Sequence, residues 1–186
     1  MRYKLIFTTV IATLALLGLS ACSNNQASAK SFNSADVSFA QDMIPHHRQA
    51  TEMAELAADR TTNSRVSALA AKIIAAQQPE IEAMSGWLKS WDKKVSDDSS
   101  MGGMDHGSSG MPGMMSMDEM SSLKGSSAGR FDQMFLTMMI SHHKGAIEMA
   151  ATEEADGTYL PALKLAKKIQ TDQAAEIVTM EALLTS

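Results

Sequence analysis

Little in this sequence supports the common classes of enzyme or nucleic-acid-binding protein. Cysteine occurs once, at Cys22, so the folded part contains no internal disulfide and offers no thiolate ligand to a metal. There is no basic stripe suited to nucleic acid, and the formal net charge is −5. There is also no phosphate-binding loop, dinucleotide fingerprint or nucleophile–base arrangement. The function therefore has to be sought in other residues.

The N-terminal segment has the pattern of a secretory signal. Two basic residues precede an apolar stretch that is too short for a comfortable membrane span. The sequence Leu19-Ser20-Ala21-Cys22 resembles a bacterial lipobox, in which the cysteine is lipidated and becomes the mature N-terminus. We therefore expect a signal peptide at 1–21, a lipid on Cys22, and a flexible tether at 22–34. An ordinary signal peptide with an unmodified cysteine is the alternative.

The rest of the chain contains an internal duplication with an offset of 96 residues. FAQDMIPHHRQATEMA at 39–54 aligns with FLTMMISHHKGAIEMA at 135–150. From Phe39 to Leu88, 19 of 50 positions are identical to their counterparts between Phe135 and Leu184, without a gap. The chain therefore carries two copies of one structural unit.

Each copy has the composition of a helical hairpin, rich in alanine, leucine, methionine, glutamate and lysine. Two hairpins, at 35–93 and 128–186, predict an all-α domain over 35–186, arranged as an up-down four-helix bundle.

Turn residues mark the ends of these predicted helices. The first turn falls near 59–64, where Thr62, Asn63 or Ser64 would cap the next helix. The second falls near 155–161, with Gly157 at a helix end and Pro161 in the following first turn. The prolines inside helical segments, Pro45 and Pro79, predict local kinks, or a helix start at Pro45.

The segment between the hairpins, 94–127, is rich in glycine, serine and methionine and has no periodicity. It predicts a disordered loop without a core. Seven of the 20 residues from Met101 to Met120 are methionine. Clustered exposed thioethers with a histidine indicate a weak, multi-site binder of soft metals, and low-complexity filler is the alternative. The residues of this secondary site are Met101, Met104, His106, Met111, Met114, Met115, Met117 and Met120.

Two pairs of adjacent histidines occupy equivalent positions in the two copies. On a helical wheel, His46 and His47 lie on or beside the apolar stripe that should face the core, whereas Glu52 points away. On the second helix of the hairpin, Glu80 is centred on an apolar face. A lone buried carboxylate costs several kcal/mol unless something pairs with it, and the opposing polar groups are the histidines.

Two interpretations follow from this arrangement. Histidine and glutamate could satisfy each other in the core, or they could form a metal site with the nearby methionines. The surplus of donors, present twice, favours a metal site. Imidazole and thioether without thiolate favour copper, with Cu(I) or Ag(I) where methionine dominates. The candidate ligands are His46, His47, Met43, Met53, Glu80 and Met84, with their copies His142, His143, Met139, Met149, Glu176 and Met180.

The doubled pattern MI-x-HH-x-x-A-x-x-MA resembles the hallmark of the DUF305 family over residues 36–184. The resemblance implies a ferritin-like four-helix bundle and an exported protein associated with copper binding and copper resistance. It also implies site residues at His46, His47, Met43 and Met53, with His142, His143, Met139 and Met149 in the second copy. Ser141 replaces the proline that the family pattern has at this point.

The leading hypothesis is a periplasmic or cell-surface lipoprotein, anchored to the membrane, that sequesters Cu(I) and passes it to an efflux or chaperone protein. A copper redox enzyme resembling a cuprous oxidase is a second hypothesis. A di-iron oxidase is disfavoured because the Glu-x-x-His motif is missing from both copies. A structural module with a self-satisfied histidine–glutamate core is the third hypothesis.

Overall fold

The protein is all-helical in a computed structural model that describes residues 31–96 and 111–186. These residues form six helices and no strand, which confirms the prediction of an all-α domain. None of these helices is both long enough and apolar enough to cross a membrane. The helices are α1 (Ser34–Glu55), α2 (Ala57–Arg60), α3 (Ser64–Ser90), α4 (Met117–Lys124), α5 (Ala128–Asp156) and α6 (Leu160–Leu184).

The four long helices pack as two hairpins. Helix α1 lies along α3, and α5 lies along α6, as the duplication predicts. The hairpins meet mainly where α1 packs on α5, and α3 and α6 make a smaller contact. Equivalent helices of the two copies therefore face each other across the core.

The hairpin turns use the predicted residues. The Asn63 side chain caps α3 by accepting a hydrogen bond from the Arg65 amide at 3.0 Å. Gly157 ends α5, and Pro161 lies in the first turn of α6. Pro45 lies inside α1, which begins at Ser34, so the alternative of a helix start at this proline is wrong. Pro79 likewise lies inside α3.

A buried carboxylate joins the start of α1 to the turn between α5 and α6. Asp36 is inaccessible to solvent, and it accepts hydrogen bonds from the amides of Asn33 (2.6 Å), Thr158 (3.0 Å) and Tyr159 (2.9 Å). Burial acts to raise the pKa of Asp36, but these hydrogen bonds outweigh it, and the pKa is lowered. The ionised form of Asp36 therefore stabilises this end of the bundle.

Glu153 lies under the same turn, and its pKa is shifted in the opposite direction. Burial, then a side-chain hydrogen bond with Asp36 and the charge of Asp36, raise the pKa of Glu153 to about 8. The protonated carboxyl group of Glu153 donates this hydrogen bond to the ionised Asp36. The fold therefore favours the protonated form of Glu153.

This difference predicts that Glu153 destabilises the fold in mildly alkaline solution. An acid whose pKa is raised by folding contributes stability at low pH, and that contribution is lost as pH rises through the folded pKa. Glu153→Gln keeps the shape without the charge. We expect it to raise the free energy of unfolding by about 1–3 kcal/mol at pH 8.5 and by much less at pH 5. Urea unfolding at both pH values measures this, and an equal effect at both would contradict the prediction.

The segment between the hairpins is more ordered than predicted. Residues 117–124 form α4, whose start is fixed by a capping box between Ser116 and Glu119. Met120 and Leu123 are buried in the main core cluster. The expectation that 94–127 is disordered and buries nothing is therefore wrong for this part. A Ser-x-x-Glu cap followed by two apolar residues supplied a helix signal that the low-complexity composition obscured.

Just before α4, residues 111–116 form a strap that lies against α1 and α5. The Gln49 side chain holds the strap through two hydrogen bonds with the Met115 backbone, at 2.7 and 2.8 Å. On the opposite side, a Cβ atom at Gly145 would overlap with the Pro112 carbonyl group. Gln49 and Gly145 occupy equivalent positions of the two copies. One copy therefore binds the strap and the other makes room for it.

The close approach at Gly145 predicts that Gly145→Ala displaces the strap. Overpacking of this kind typically costs about 1–3 kcal/mol. We expect a lower free energy of unfolding in urea and faster proteolysis within the strap, residues 111–116. Gly86→Ala is the matched control, because a Cβ there meets nothing within 4 Å, and alanine should stabilise α3 by about 0.5–1 kcal/mol. Unchanged proteolysis of Gly145→Ala would show that the strap tolerates the methyl group.

Candidate metal centre

All four paired histidines are inaccessible to solvent, and the two copies meet through the first histidine of each pair. The ring centroids of His46 and His142 are 3.8 Å apart, with the rings tilted by 43°. This contact follows from the packing of α1 on α5, which brings equivalent apolar stripes together. The hairpins therefore place these two imidazoles at one shared centre.

The second histidine of each pair binds a carboxylate within its own hairpin. His47 Nε2 lies 2.8 Å from Glu80 Oε2, and His143 Nε2 lies 2.6 Å from Glu176 Oε2. The interpretation that histidine and glutamate satisfy each other thus describes these two pairs. The glutamates lie beside the second histidines, where they can orient the rings, rather than at the His46–His142 contact.

A lysine side chain also binds one of these carboxylates. Lys168 Nζ lies 2.8 Å from the other oxygen of Glu80. Burial acts to raise the pKa of Glu80, but its bonds to His47 and Lys168 together lower it. Glu80 therefore stays ionised, and the strong acceptor fixes the orientation of His47.

The first histidines have ring nitrogens without partners. His46 Nε2 donates a hydrogen bond to the Pro112 carbonyl oxygen at 2.9 Å, because a carbonyl can only accept. The proton on Nε2 leaves His46 Nδ1 with a free lone pair, and this atom has no hydrogen-bond partner. Within residues 31–96 and 111–186, neither nitrogen of His142 has a hydrogen bond of good geometry. Buried polar atoms without partners are rare in proteins, and they mark this centre as suited to a ligand.

Burial keeps the rings neutral. It lowers the pKa of His46 to about 3, and it lowers that of His142 well below the ordinary value, with the neighbouring histidines adding to the effect. Neutral imidazole is the form that binds metals, because its lone pair is not occupied by a proton. At neutral pH the pair is therefore ready to donate to a cation.

Thioethers stand next to this histidine pair along the helices. Met43 and Met139 lie one helical turn before His46 and His142, and both are fully buried. Within the described ranges 31–96 and 111–186, no three His, Cys, Asp or Glu side chains are placed to hold a metal together. The histidine contact thus offers a metal two imidazole donors, from His46 and His142. The further donors on the same helices are the sulfur atoms of Met43 and Met139.

The other predicted ligands are spread over the bundle. Met84 and Met180 are buried on α3 and α6, in different core clusters. Met53 is fully buried two turns beyond His46, whereas its copy Met149 is partly exposed and lines a cavity.

The methionines of the insert also differ from one another in solvent exposure. Those of the strap are partly buried, Met117 is 77% exposed and Met120 is buried. The remaining predicted site residues, Met101, Met104, His106 and Cys22, lie outside the described residues.

Sequence reasoning missed the backbone of the strap as part of this site. The Pro112 carbonyl fixes the tautomer of His46, and no side-chain pattern signals such a role. A weak signal did exist for the docking of the strap. Gln49 and Gly145 differ at aligned positions in the middle of the best-matched stretch of the repeat.

Comparisons with known proteins give the family. The sequence matches the Domain of unknown function (DUF305) over residues 36–184. No curated protein matches this chain. A putative secreted DUF305 protein from Streptomyces coelicolor has 34% identity and a TM-score of 0.72, covering 81% of this chain and 91% of its own. A DUF305 fragment from Deinococcus radiodurans has 28% identity and a TM-score of 0.73, with coverages of 82% and 97%.

A third similar structure contains a metal. CopM in its Cu(II)-bound form has 32% identity and a TM-score of 0.68, covering 81% of this chain and 95% of that one. CopM is also known in Cu(I)-bound and Ag-bound forms, which are 29% identical to this chain. The profile match and these structures agree with the doubled histidine motif, and the chain belongs to the DUF305 family.

Proposed function

We propose that this protein binds Cu(I) at the contact between its two copies and acts as an exported copper buffer rather than as an enzyme. The observation that carries the proposal is the pair His46 and His142, whose buried rings touch while three of their four nitrogens lack a hydrogen-bond partner among the described residues. A bound cation would satisfy these atoms. Met43 and Met139, one turn away on the same helices, are the thioether donors that complete the set.

The donor chemistry favours a soft monovalent ion. Neutral imidazole and thioether together select Cu(I) or Ag(I) over Mg²⁺ or Ca²⁺, which prefer oxygen. His47 and His143 would support the centre from its edges, since Glu80 and Glu176 hold their Nε2 atoms and leave each Nδ1 without a partner. Silver binding by CopM supports the same class of ion.

Cellular placement is part of the proposal. A lipid on Cys22 would hold the domain at a membrane on the periplasmic or outer side, and the residues between Cys22 and the α1 cap at Asn33 would tether it. The similarity to a putative secreted protein supports export. A copper efflux or chaperone protein would receive the ion.

We also infer that the four long helices form an up-down, ferritin-like bundle, which the packing of α1 on α3 and of α5 on α6 supports.

A competitive Cu(I) titration under reducing, oxygen-free conditions tests the binding role. We expect His46→Ala with His142→Ala to weaken the tightest site at least about a hundredfold, roughly 2.8 kcal/mol, because both nitrogen donors are lost. Ile44→Ala with Ile140→Ala is the control, since it removes side chains at equivalent positions on the same helices without removing donors. An unchanged affinity of the histidine variant would show that these rings have a structural role only.

Two further measurements separate the alternatives. Copper bound to the native state should raise the melting temperature of the parent protein but not of the double-histidine variant. A melting temperature indifferent to copper would support a purely structural core. Oxygen consumption that turns over Cu(I) many times per protein would instead support an oxidase and would contradict the proposed buffering role.

A further inference from the structure

Gln49 is buried beside the histidine centre and holds the strap through two hydrogen bonds. It lies one helical turn after His46 on the same face of α1, and it is 4% exposed. Its side-chain nitrogen donates to the Met115 carbonyl oxygen at 2.8 Å, and its side-chain oxygen accepts from the Met115 N–H at 2.7 Å. One side chain therefore binds both polar groups of one strap residue and fixes the position of the strap along α1.

The tip of the strap is a tight turn at 111–114, closed by a 3.3 Å hydrogen bond between its last amide and its first carbonyl oxygen. Pro112 at the second position and Gly113 at the third, with a φ of 76°, are typical of a type II turn. The turn directs the Pro112 carbonyl oxygen to His46 Nε2, 2.9 Å away. A local backbone conformation thus sets the partner of this ring.

The same turn rests directly on α5. A Cβ atom at Gly113 would lie 2.6 Å from a backbone oxygen of α5, and one at Gly145 would overlap with the Pro112 carbonyl group. Because backbone packs on backbone here, the turn has little room to shift. The strap is therefore fixed by Gln49 on one helix and by this contact on the other.

The position of the turn determines which nitrogen of His46 can bind a metal. The neutral ring carries one proton, and the Pro112 carbonyl oxygen accepts it at Nε2, so the lone pair is on Nδ1. Without this acceptor, the proton can occupy either nitrogen. His142 is followed one turn later by Gly145 instead of a glutamine, and no strap residue among those described hydrogen-bonds to its ring.

We infer that Gln49 is a positioning residue of the histidine centre. It clamps the strap so that the Pro112 carbonyl group holds the His46 proton on Nε2, which leaves Nδ1 as the donor to the metal. The two histidines then enter the centre unequally, because the strap selects the donor atom of His46 but not that of His142. The inference rests on the proposed copper-binding function, and it specifies the nitrogen by which His46 binds.

Histidine ¹⁵N NMR provides the test, first without metal and then with Ag(I) as a redox-inert substitute for Cu(I). The His46 ring signals are identified by their absence from His46→Gln. The two nitrogen shifts of a ring lie far apart when one tautomer prevails, and they approach each other when both exchange. In the parent protein we expect the proton on Nε2 only, and Ag(I) should shift Nδ1 while that proton remains.

Gln49→Leu removes both hydrogen bonds to the strap. We expect it to mix the His46 tautomers in the metal-free protein and to weaken Ag(I) binding about 10–100-fold, as is typical when a group that orients a histidine ligand is lost. Gly145→Ala displaces the turn from the opposite helix, so it should mix the tautomers as well. Agreement of these two variants would identify the strap as the link.

Gln41→Leu is the matched control. Gln41 is also a glutamine of α1 whose side chain donates to a backbone oxygen, but its partner is Lys94, outside the strap. The change should leave the His46 tautomer and the Ag(I) affinity as they are in the parent.

A His46 ring that keeps its proton on Nε2 in both Gln49→Leu and Gly145→Ala would overturn the inference. Binding of Ag(I) at Nε2 of the parent, or an equal effect of Gln41→Leu, would also overturn it. Failure of the proposed function has a different signature. Ag(I) would then shift no ring nitrogen of His46 or His142, while the tautomer of the metal-free His46 would still depend on Gln49.

Discussion

The structure depends on the burial of two neutral imidazoles against each other at the contact between equivalent helices. Burial deprives His46 and His142 of solvent and keeps them unprotonated, so their lone pairs are available to a cation. The surrounding helices contribute residues that keep these two imidazoles in contact. Hairpin partners α3 and α6 supply Glu80 and Glu176, which bind the second histidines and leave the first ones without a carboxylate partner.

Helical periodicity in the sequence predicted much of this site and of the fold around it. The inward direction of the histidines and of Glu80 follows from their spacing along amphipathic helices, and the two hairpins follow from the repeat. Periodicity does not, however, give the axial register between helices. It could not show that His47 reaches Glu80 while His46 reaches the other copy. The interpretation of a histidine–glutamate pair describes His47, and the metal site at His46 stays a proposal.

The insert was the least predictable element. Its C-terminal part docks through the backbone of Pro112 and Met115, and backbone groups are the same in every sequence. Composition pointed to disorder because glycine and serine dominate, yet the capping box at Ser116 and Glu119 and the buried Met120 and Leu123 sufficed to form α4. Local signals of this size outweigh average composition when a groove is available to bury two side chains.

The differing residues at Gln49 and Gly145 also constrain the history of the protein. A symmetric dimer of single hairpins would place either two glutamines or two glycines at these positions, and neither arrangement both binds the strap and leaves space for it. Once the strap had docked, the two copies ceased to be interchangeable. Giving either position the residue of its counterpart would remove the bonds to the strap or fill the space that the strap occupies. The duplication is therefore locked into one order along the chain.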